Sequence, residues 1–437
     1  MDGFHSTSAT DAIIHGHAES ELHFVASSLC MAGVFLLILL SEPLLNALGF
    51  DYSGKTGGAL YQKIHPGTYV IVISLVVFLW DRDDPIRQYL QTLRQHTIFA
   101  LALLIHLLLL LYWLAKSPEG VGVLIDTHMT AIICAVVLSY APQSCCRIIV
   151  YGFLALALVN SLTGIMESIF RFRIFTFDAD WVVLREEYFR ASAFLGHPLN
   201  NALFTTIALF VAMSLRISGF LKMFLLLIFL TSLVAFGGRA GFVFSVLGLI
   251  PLAIQMIRSV LTDPRLTQSR RFLFMTGILI VPVLLFGGLF LVMGSPIGER
   301  LMALSSFTDA SAQGRWLAFK AVQFMTTEEI WFGATAERVV EIAYRMSLVF
   351  PITDIENPWV MMFMLLGLLA FSVWLVTTLV FAWRLMRGQL LALQLAVLGY
   401  FVVASSFNSF GTKNTIYAIL VAVVISAQRA FVISDNK

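Results

Sequence analysis

The chain has 437 residues, of which 59% are hydrophobic and only 12% charged, with a mean hydropathy of +0.87 and a formal net charge of +2. Soluble domains carry roughly 25% charged residues, so composition excludes an ordinary soluble globule and predicts an all-α polytopic membrane protein. The small net charge and the absence of a basic tract give nucleic acid no foothold.

Residues 1–23 are polar and contain no Lys or Arg. They lack the basic start of a cleaved signal peptide, so the first apolar run is expected to be retained as a helix. His5, His15, His17 and His23 lie in this segment at irregular spacing, which fits an exposed tail better than a metal site. The four cysteines, Cys30, Cys134, Cys145 and Cys146, form no CxxC pair and are read as reduced and structural.

A membrane-crossing helix needs about 20 apolar residues. Twelve runs approach this: 24–40, 64–80, 97–115, 123–140, 148–169, 193–215, 221–236, 242–257, 272–293, 359–383, 390–406 and 415–426. Glu42-Pro43 is placed to break the end of the first. The expected architecture is about twelve transmembrane helices, nine in 24–293 and three in 359–428. Between them lies an external, partly helical loop, 294–358, and 429–437 is a short tail. No internal repeat is evident.

Half of the 28 basic residues crowd into one set of short connections, among them Arg82, Arg87, Arg94, Arg147, Arg258, Arg384, Arg387 and Arg429. That density reads as cytoplasmic and puts both termini there. Three unusual segments then share the external face: 170–192, the Gly237–Gly241 pinch and 294–358.

Arg239 sits in Gly237-Gly238-Arg239-Ala240-Gly241, between two apolar runs. Its guanidinium is a planar fork suited to phosphate oxygens, although an interfacial arginine that snorkels to headgroups has the same signature. Arg190 precedes the sixth run, and His197, Asn200 and Asn201 follow just inside it beside Pro198. Those polar groups either bind a sugar or phosphate or satisfy one another between helices. In the long loop, Leu317, Ala321, Phe324 and Met325 mark one amphipathic helix, and Ala336, Val339, Val340 and Ala343 a second. Arg315 stands before the first, and Trp331-Phe332-Gly333 is an aromatic turn between the two. The loop ends in Asp354-Ile355-Glu356-Asn357-Pro358, whose carboxylates are either a general base or counter-ions for nearby arginines.

In their order these pieces resemble the O-antigen ligase and Wzy-type polysaccharide polymerase superfamily. The resemblance rests on Arg190 with Phe194, Pro198 and Asn200; on Gly238-Arg239-Ala240-Gly241; on Gly314-Arg315-Trp316 followed by Trp331-Phe332-Gly333; and on Glu356-Asn357 leading to Leu366-Gly367. It covers roughly residues 148–381. It implies a metal-independent glycosyltransferase without cofactor, in the bacterial inner membrane. Such an enzyme takes a glycan from a polyprenyl-diphosphate carrier and passes it to a sugar hydroxyl on the periplasmic face. Export proteins of the same pathway would be partners. Carried over to these positions, Arg190 and Arg239 would stabilise the departing diphosphate and Glu356 would act as base. Arg315, His197, Asn200, Asn357 and Asp354 would contact substrate. Ligases carry His where this chain has Glu356, and Gly237-Gly238 replaces a serine. The first departure fits better with a polymerase-like or divergent member making exopolysaccharide; the second leaves one fewer side-chain donor beside Arg239.

Two other readings stand beside it. A transferase using polyprenyl-phosphate sugars would need an acidic residue in the first external loop, where Asp51 is the candidate; Gly54, Gly57 and Gly58 beside it favour a turn. A transporter or lipid-linked oligosaccharide flippase would be expected to show repeated halves and charges near the midplane.

Overall fold

The computed structural model describes residues 9–50, 52, 60–80, 84–175, 189–262, 267–269, 287, 310–350, 355–407 and 412–432. Among them there is no strand: the protein is all-helical. Four described helices are long and apolar enough to cross a membrane, namely α5 (Thr97–Lys116), α7 (Gln143–Phe170), α10 (Arg239–Thr262) and α14 (Pro358–Met386). Seven shorter apolar helical stretches accompany them. They comprise the end of α1 (Ala9–Leu39), α3 (Pro66–Leu79), a π-turn Val123–Met129 running into α6 (Thr130–Leu138), α8 (Pro198–Ser214), α9 (Gly219–Ala235), α15 (Leu391–Ala404) and α16 (Ile416–Ala427). These follow eleven of the twelve apolar runs. The run at 272–293 lies almost wholly outside the described residues.

Helix α1 begins at Ala9, so most of the segment expected as a tail is helical. His23 is packed rather than mobile: its ring stacks on Phe78 at 5.3 Å and lies 5.8 Å from Tyr140. After α1 the chain turns into the six-residue α2 (Glu42–Ala47), as Glu42-Pro43 predicts.

Several helices start with the same local device, a polar cap followed by proline. Proline needs no N–H in the first turn, and the preceding side chain accepts from the amides left over. His65 Nδ1 accepts from Gly67 N–H before α3, and Asp84 from Arg87 N–H before α4 (Pro85–Gln95). His197 Nδ1 takes the Leu199 N–H before α8, and Asn357 those of Trp359 and Val360 before α14. Helix α4 was not expected. Its buried Gln88 and Thr92 face the bundle, while Ile86, Arg87 and Leu90 are exposed at the basic-dense end.

Two apolar clusters form the core. The larger joins α1, α3 and α6–α10 to α15 and α16; its centre is α16, nearly every residue of which is buried. The smaller gathers the end of α5, the π-turn, the first half of α14 and the helical segment 318–346. Trp359 packs against both. All four cysteines are buried and unbridged, with Cys30 and Cys134 Sγ 3.9 Å apart.

The segment 294–358 is mainly helical where described. Helix α11 (Ala310–Leu317) tightens into a 3-10 turn over Ala318–Phe324 and is followed by α12 (Thr327–Phe332) and α13 (Ala336–Val349). A three-residue period places Ala318 and Ala321 inward together, so the four-residue spacing expected from Leu317 gives way to the tighter turn. On α13 the buried face is Val339, Ile342 and Met346, whereas Val340, expected inward, is exposed.

Candidate functional site

Arg190 lies in an extended stretch ahead of α8, and a buried carboxylate holds that stretch. Glu167, in the last turn of α7, is fully buried. Its oxygens accept from the amides of Ile174 at 2.8 Å, Ser192 at 2.8 Å and Ala193 at 2.9 Å. Ala193 has φ 38°, a left-handed conformation that a non-glycine residue adopts only when its surroundings impose it. Asn201 adds a bond from Nδ2 to the Ser192 carbonyl, and Ala191 N–H donates to Ala235 O at the end of α9. The Arg190 carbonyl accepts from Arg173 Nε, whose guanidinium lies over the Phe189 ring at 4.8 Å.

The same end of α9 delivers Arg239. Helix α9 closes in a Schellman motif, with Gly237 at φ 63° and Gly238 N–H donating to Leu233 O at 3.1 Å. A Cβ on Gly238 would run into Ala202 of α8. The small residues of this pinch therefore serve a turn and a close helix contact, and Arg239 opens α10 immediately beyond. Arg190 and Arg239 are both half-buried. Since Ala191 bonds to Ala235 and Gly238 abuts Ala202, both arginines belong to the rim at the start of α8.

His197 and Asn200 share that rim. Arg190 is close enough to His197 to act on it electrostatically, and the His197 ring stacks on Phe407 at 6.3 Å. Asn200 Oδ1 accepts from Asn414 Nδ2 at 3.1 Å. Glu356, half-buried, precedes α14; Trp359 one turn on donates from Nε1 to Ser405 Oγ at 3.0 Å. The end of α15, Ser405–Phe407, thus bridges the start of α14 to the start of α8. Arg315, also half-buried, stands apart on α11, in the segment that packs over the smaller cluster. Asp354 and Asp51 lie outside the described residues.

The Nδ1 of His197 and the Oδ1 of Asn357 are engaged as helix caps, so those two atoms order the backbone. The loop motif Trp331-Phe332-Gly333 likewise has a backbone role. Helix α14 breaks at Gly367, with φ 71° and ψ 170°, and Gly333 with φ 80° lies directly against the break. A Cβ on Gly333 would come within 2.6 Å of the Gly367 nitrogen. Ala334 N–H donates to Met364 O at 2.6 Å, and Lys116 Nζ donates to Leu365 O at 2.7 Å and Phe332 O at 3.1 Å.

Sequence reasoning missed a second polar cluster beside this rim. Asp126 of the π-turn is fully buried and accepts from Thr68 Oγ1 at 2.7 Å, Tyr52 OH at 3.0 Å and His65 N–H at 3.2 Å. Lys413 donates to the Tyr52 carbonyl, sits 4.3 Å from the Tyr52 ring centroid and exerts its charge on Asp126. Glu42, His65, Lys413, Asn414 and Asn200 line a cavity of ≈ 30 Å³. A water needs about 10–15 Å³ on this measure, so the cavity holds water or a small ion but no sugar. The available signal was a lone carboxylate within an apolar run, which obliges buried partners to exist.

No protein-family model matches the chain, and no curated protein matches it. What the chain defines on its own is an all-helical, membrane-embedded protein with arginines and a carboxylate around one end of α8 and α14.

Proposed function

We propose that this protein is an integral membrane glycosyltransferase that polymerises or ligates glycan repeat units carried on polyprenyl diphosphate. In this reading the chain has twelve spans, both termini are cytoplasmic, and the α8–α14 rim faces the periplasm of a bacterial inner membrane. The observation that carries it is the delivery of Arg190 and Arg239 to one rim by adjoining backbone segments, with Glu356 at the neighbouring helix start. Two guanidiniums at a membrane boundary suit a leaving diphosphate, whose charge grows as its bond to the sugar breaks.

The chemistry follows. The acceptor hydroxyl attacks the anomeric carbon of the donor glycan as Glu356 takes the hydroxyl proton. The bond from that carbon to the diphosphate oxygen breaks, and the electron pair leaves with the polyprenyl diphosphate, held by Arg190 and Arg239. Arg315, on the helical segment over the smaller cluster, contacts the donor from the loop side. Other polysaccharide export proteins take the product onward.

The test is the length distribution of surface polysaccharide in cells lacking the gene, complemented with wild type or Arg239→Ala. Loss of long chains with single repeats remaining, restored by wild type alone, supports a polymerase. Long glycan stranded on its lipid carrier supports a ligase. Unchanged glycan in the deletion strain overturns the reading.

One observation favours a second reading, a flippase for lipid-linked oligosaccharide. Helix α14 is broken and a carboxylate–lysine cluster is buried nearby, features that transporters use at substrate or ion sites. Translocation of a fluorescent polyprenyl-diphosphate glycan by proteoliposomes, without change in glycan length, would select it.

A further inference from the structure

At the opposite, basic-dense end of the bundle, the start of α5 and the ends of α14 and α16 enclose a cavity of ≈ 150 Å³. His96, Ser139, Arg384, Gln389, Gln428 and Arg429 are its polar walls. It is far larger than a water requires, about 10–15 Å³ on the same measure. Arg429 spends Nε on the Ala141 carbonyl and one terminal nitrogen on that of Ser139, which fixes the guanidinium in place. Arg384 lies 5.7 Å from the Phe99 ring centroid. Among the described residues no carboxylate pairs with either arginine.

Two further atoms lack partners. Gln389 is 8% exposed and its Oε1 is buried without a hydrogen bond, as is Nδ1 of His96. Leaving polar atoms buried without a partner is unfavourable, so such a constellation is stable when something fills it. Burial, reinforced by the charges of Arg384 and Arg429, holds the His96 imidazole below its ordinary value. The ring is then neutral at pH 7 and the positive potential comes from the two arginines. The start of α5 adds its helix dipole in the same sense.

We propose that this cavity binds a phosphoryl group bearing a neighbouring hydroxyl or ammonium donor, the phosphoryl oxygens on Arg384 and Arg429 and the donor on Gln389. A phospholipid headgroup and a free phosphate compound share that chemistry. The site is remote from the α8–α14 rim, and the proposal does not rest on the transferase reading.

The experiment is calorimetric titration of the full-length protein in non-ionic detergent with two probes, inorganic phosphate and monomeric dihexanoyl phosphatidylglycerol. Saturable binding of at least one is expected, weakened about tenfold or more by Arg384→Gln, the scale of losing one charge-assisted hydrogen bond. Arg387→Gln, one turn on over the Trp383 ring and outside the cavity, is expected to bind as wild type. Gln389→Leu keeps both arginines and is expected to weaken the lipid probe also, which covers any loss of stability in Arg384→Gln. Binding of the lipid alone assigns a membrane headgroup; binding of both assigns the phosphoryl group itself. No saturable binding of either probe, or an equal loss in Arg384→Gln and Arg387→Gln, would overturn the proposal.

Discussion

The ammonium of Lys116 donates to the carbonyl of Leu365 at 2.7 Å, two residues before α14 loses its helical geometry at Gly367. A break inside an apolar helix leaves carbonyls that lipid cannot satisfy. Lys116 reaches from the end of α5 and also takes the Phe332 carbonyl, so it ties α12 to the break. Lys116→Met keeps the side-chain length and removes both bonds. Its cost should be about 2–3 kcal/mol, from two carbonyls losing a charged donor. Thermal unfolding in detergent measures it, and an unchanged midpoint would show the clamp to be idle.

Gly333 and Gly367 meet backbone to backbone, each at positive φ. A Cβ at either would carry left-handed strain of about 1–2 kcal/mol. It would also overlap atoms that cannot rotate away. Gly367→Ala and Gly333→Ala should each destabilise by about 3 kcal/mol or more, given typical overpacking costs. The double variant should cost less than the sum, because one displacement relieves both contacts. Additive losses in denaturant titrations would contradict a shared contact.

Glu167 ties three amides into the stretch that carries Arg190. Glu167→Gln retains the shape but loses the charge and one acceptor, at about 1–3 kcal/mol. If Arg190 works at the rim, transfer activity should fall more steeply than stability, chiefly as a rise in KM for the donor. Activity that merely tracks the amount of folded protein would confine Glu167 to structure.

Much of this was readable in the residues. Apolar runs gave the helices because a span must bury its backbone and cover itself in hydrocarbon, whatever its tertiary partners. Ends were less legible. The sixth run continues apolar through Ala193 and Phe194, yet the helix waits for His197-Pro198, where cap and proline act together. Asn357 and His197 resembled ligand residues because a helix cap and a binding group use the same atoms. Asp126 went unnoticed because its partners Tyr52 and Lys413 are remote in sequence, and no local pattern encodes a contact across the bundle. The hydrogen bond that joins the segments of Arg190 and Arg239, Ala191 to Ala235, lies in the backbone and has no side-chain signature.

Arg239→Lys should abolish glycan transfer while leaving the protein in the membrane, since a point charge does not replace a bidentate fork. Glu356→Gln should lower kcat by about 10²–10⁴-fold, the range of general acid–base catalysis, with little change in donor affinity. Radiolabelled repeat-unit transfer in membrane preparations reads both. Wild-type turnover by the lysine variant would remove Arg239 from the diphosphate, and an unchanged rate would remove Glu356 from the base role.

Helices α12 and α13 should loosen in acid. Burial raises the Glu329 carboxyl, but the Thr326 amide and the Arg338 guanidinium outweigh it, and the net displacement is below the ordinary value near 4.5. Hydrogen bonding to Arg338 moves Glu341 the same way. A depressed carboxyl favours the folded state at pH above its unfolded value, and that contribution disappears as pH falls towards the folded value. Hydrogen-exchange protection in α12 and α13, corrected for intrinsic rates, should therefore hold between pH 7 and 5 and drop below about 4.5, the unfolded glutamate range. Arg338→Gln should weaken the dependence without abolishing it, since the Thr326 amide still holds Glu329 and Arg345 still holds Glu341. Protection that rises in acid would reverse the assignment.

The helices are unequal in reach. At about 1.5 Å per residue, the 14 residues of α3 and of α15 extend roughly 21 Å, while the part of α14 beyond its break at Gly367 extends roughly 28 Å. A hydrocarbon layer near 30 Å matches the latter and not the former. Exposed Val72, Ile73 and Val76 on α3 and Leu398 and Val402 on α15 leave those short helices in contact with acyl chains. Beside them lipid would thin, drawing the headgroup plane inward, while beside the longer part of α14 it would keep its ordinary thickness. In the proposed reading, a long-chain carrier approaching along that thin sector would bring its diphosphate deeper than the surrounding phospholipid phosphates.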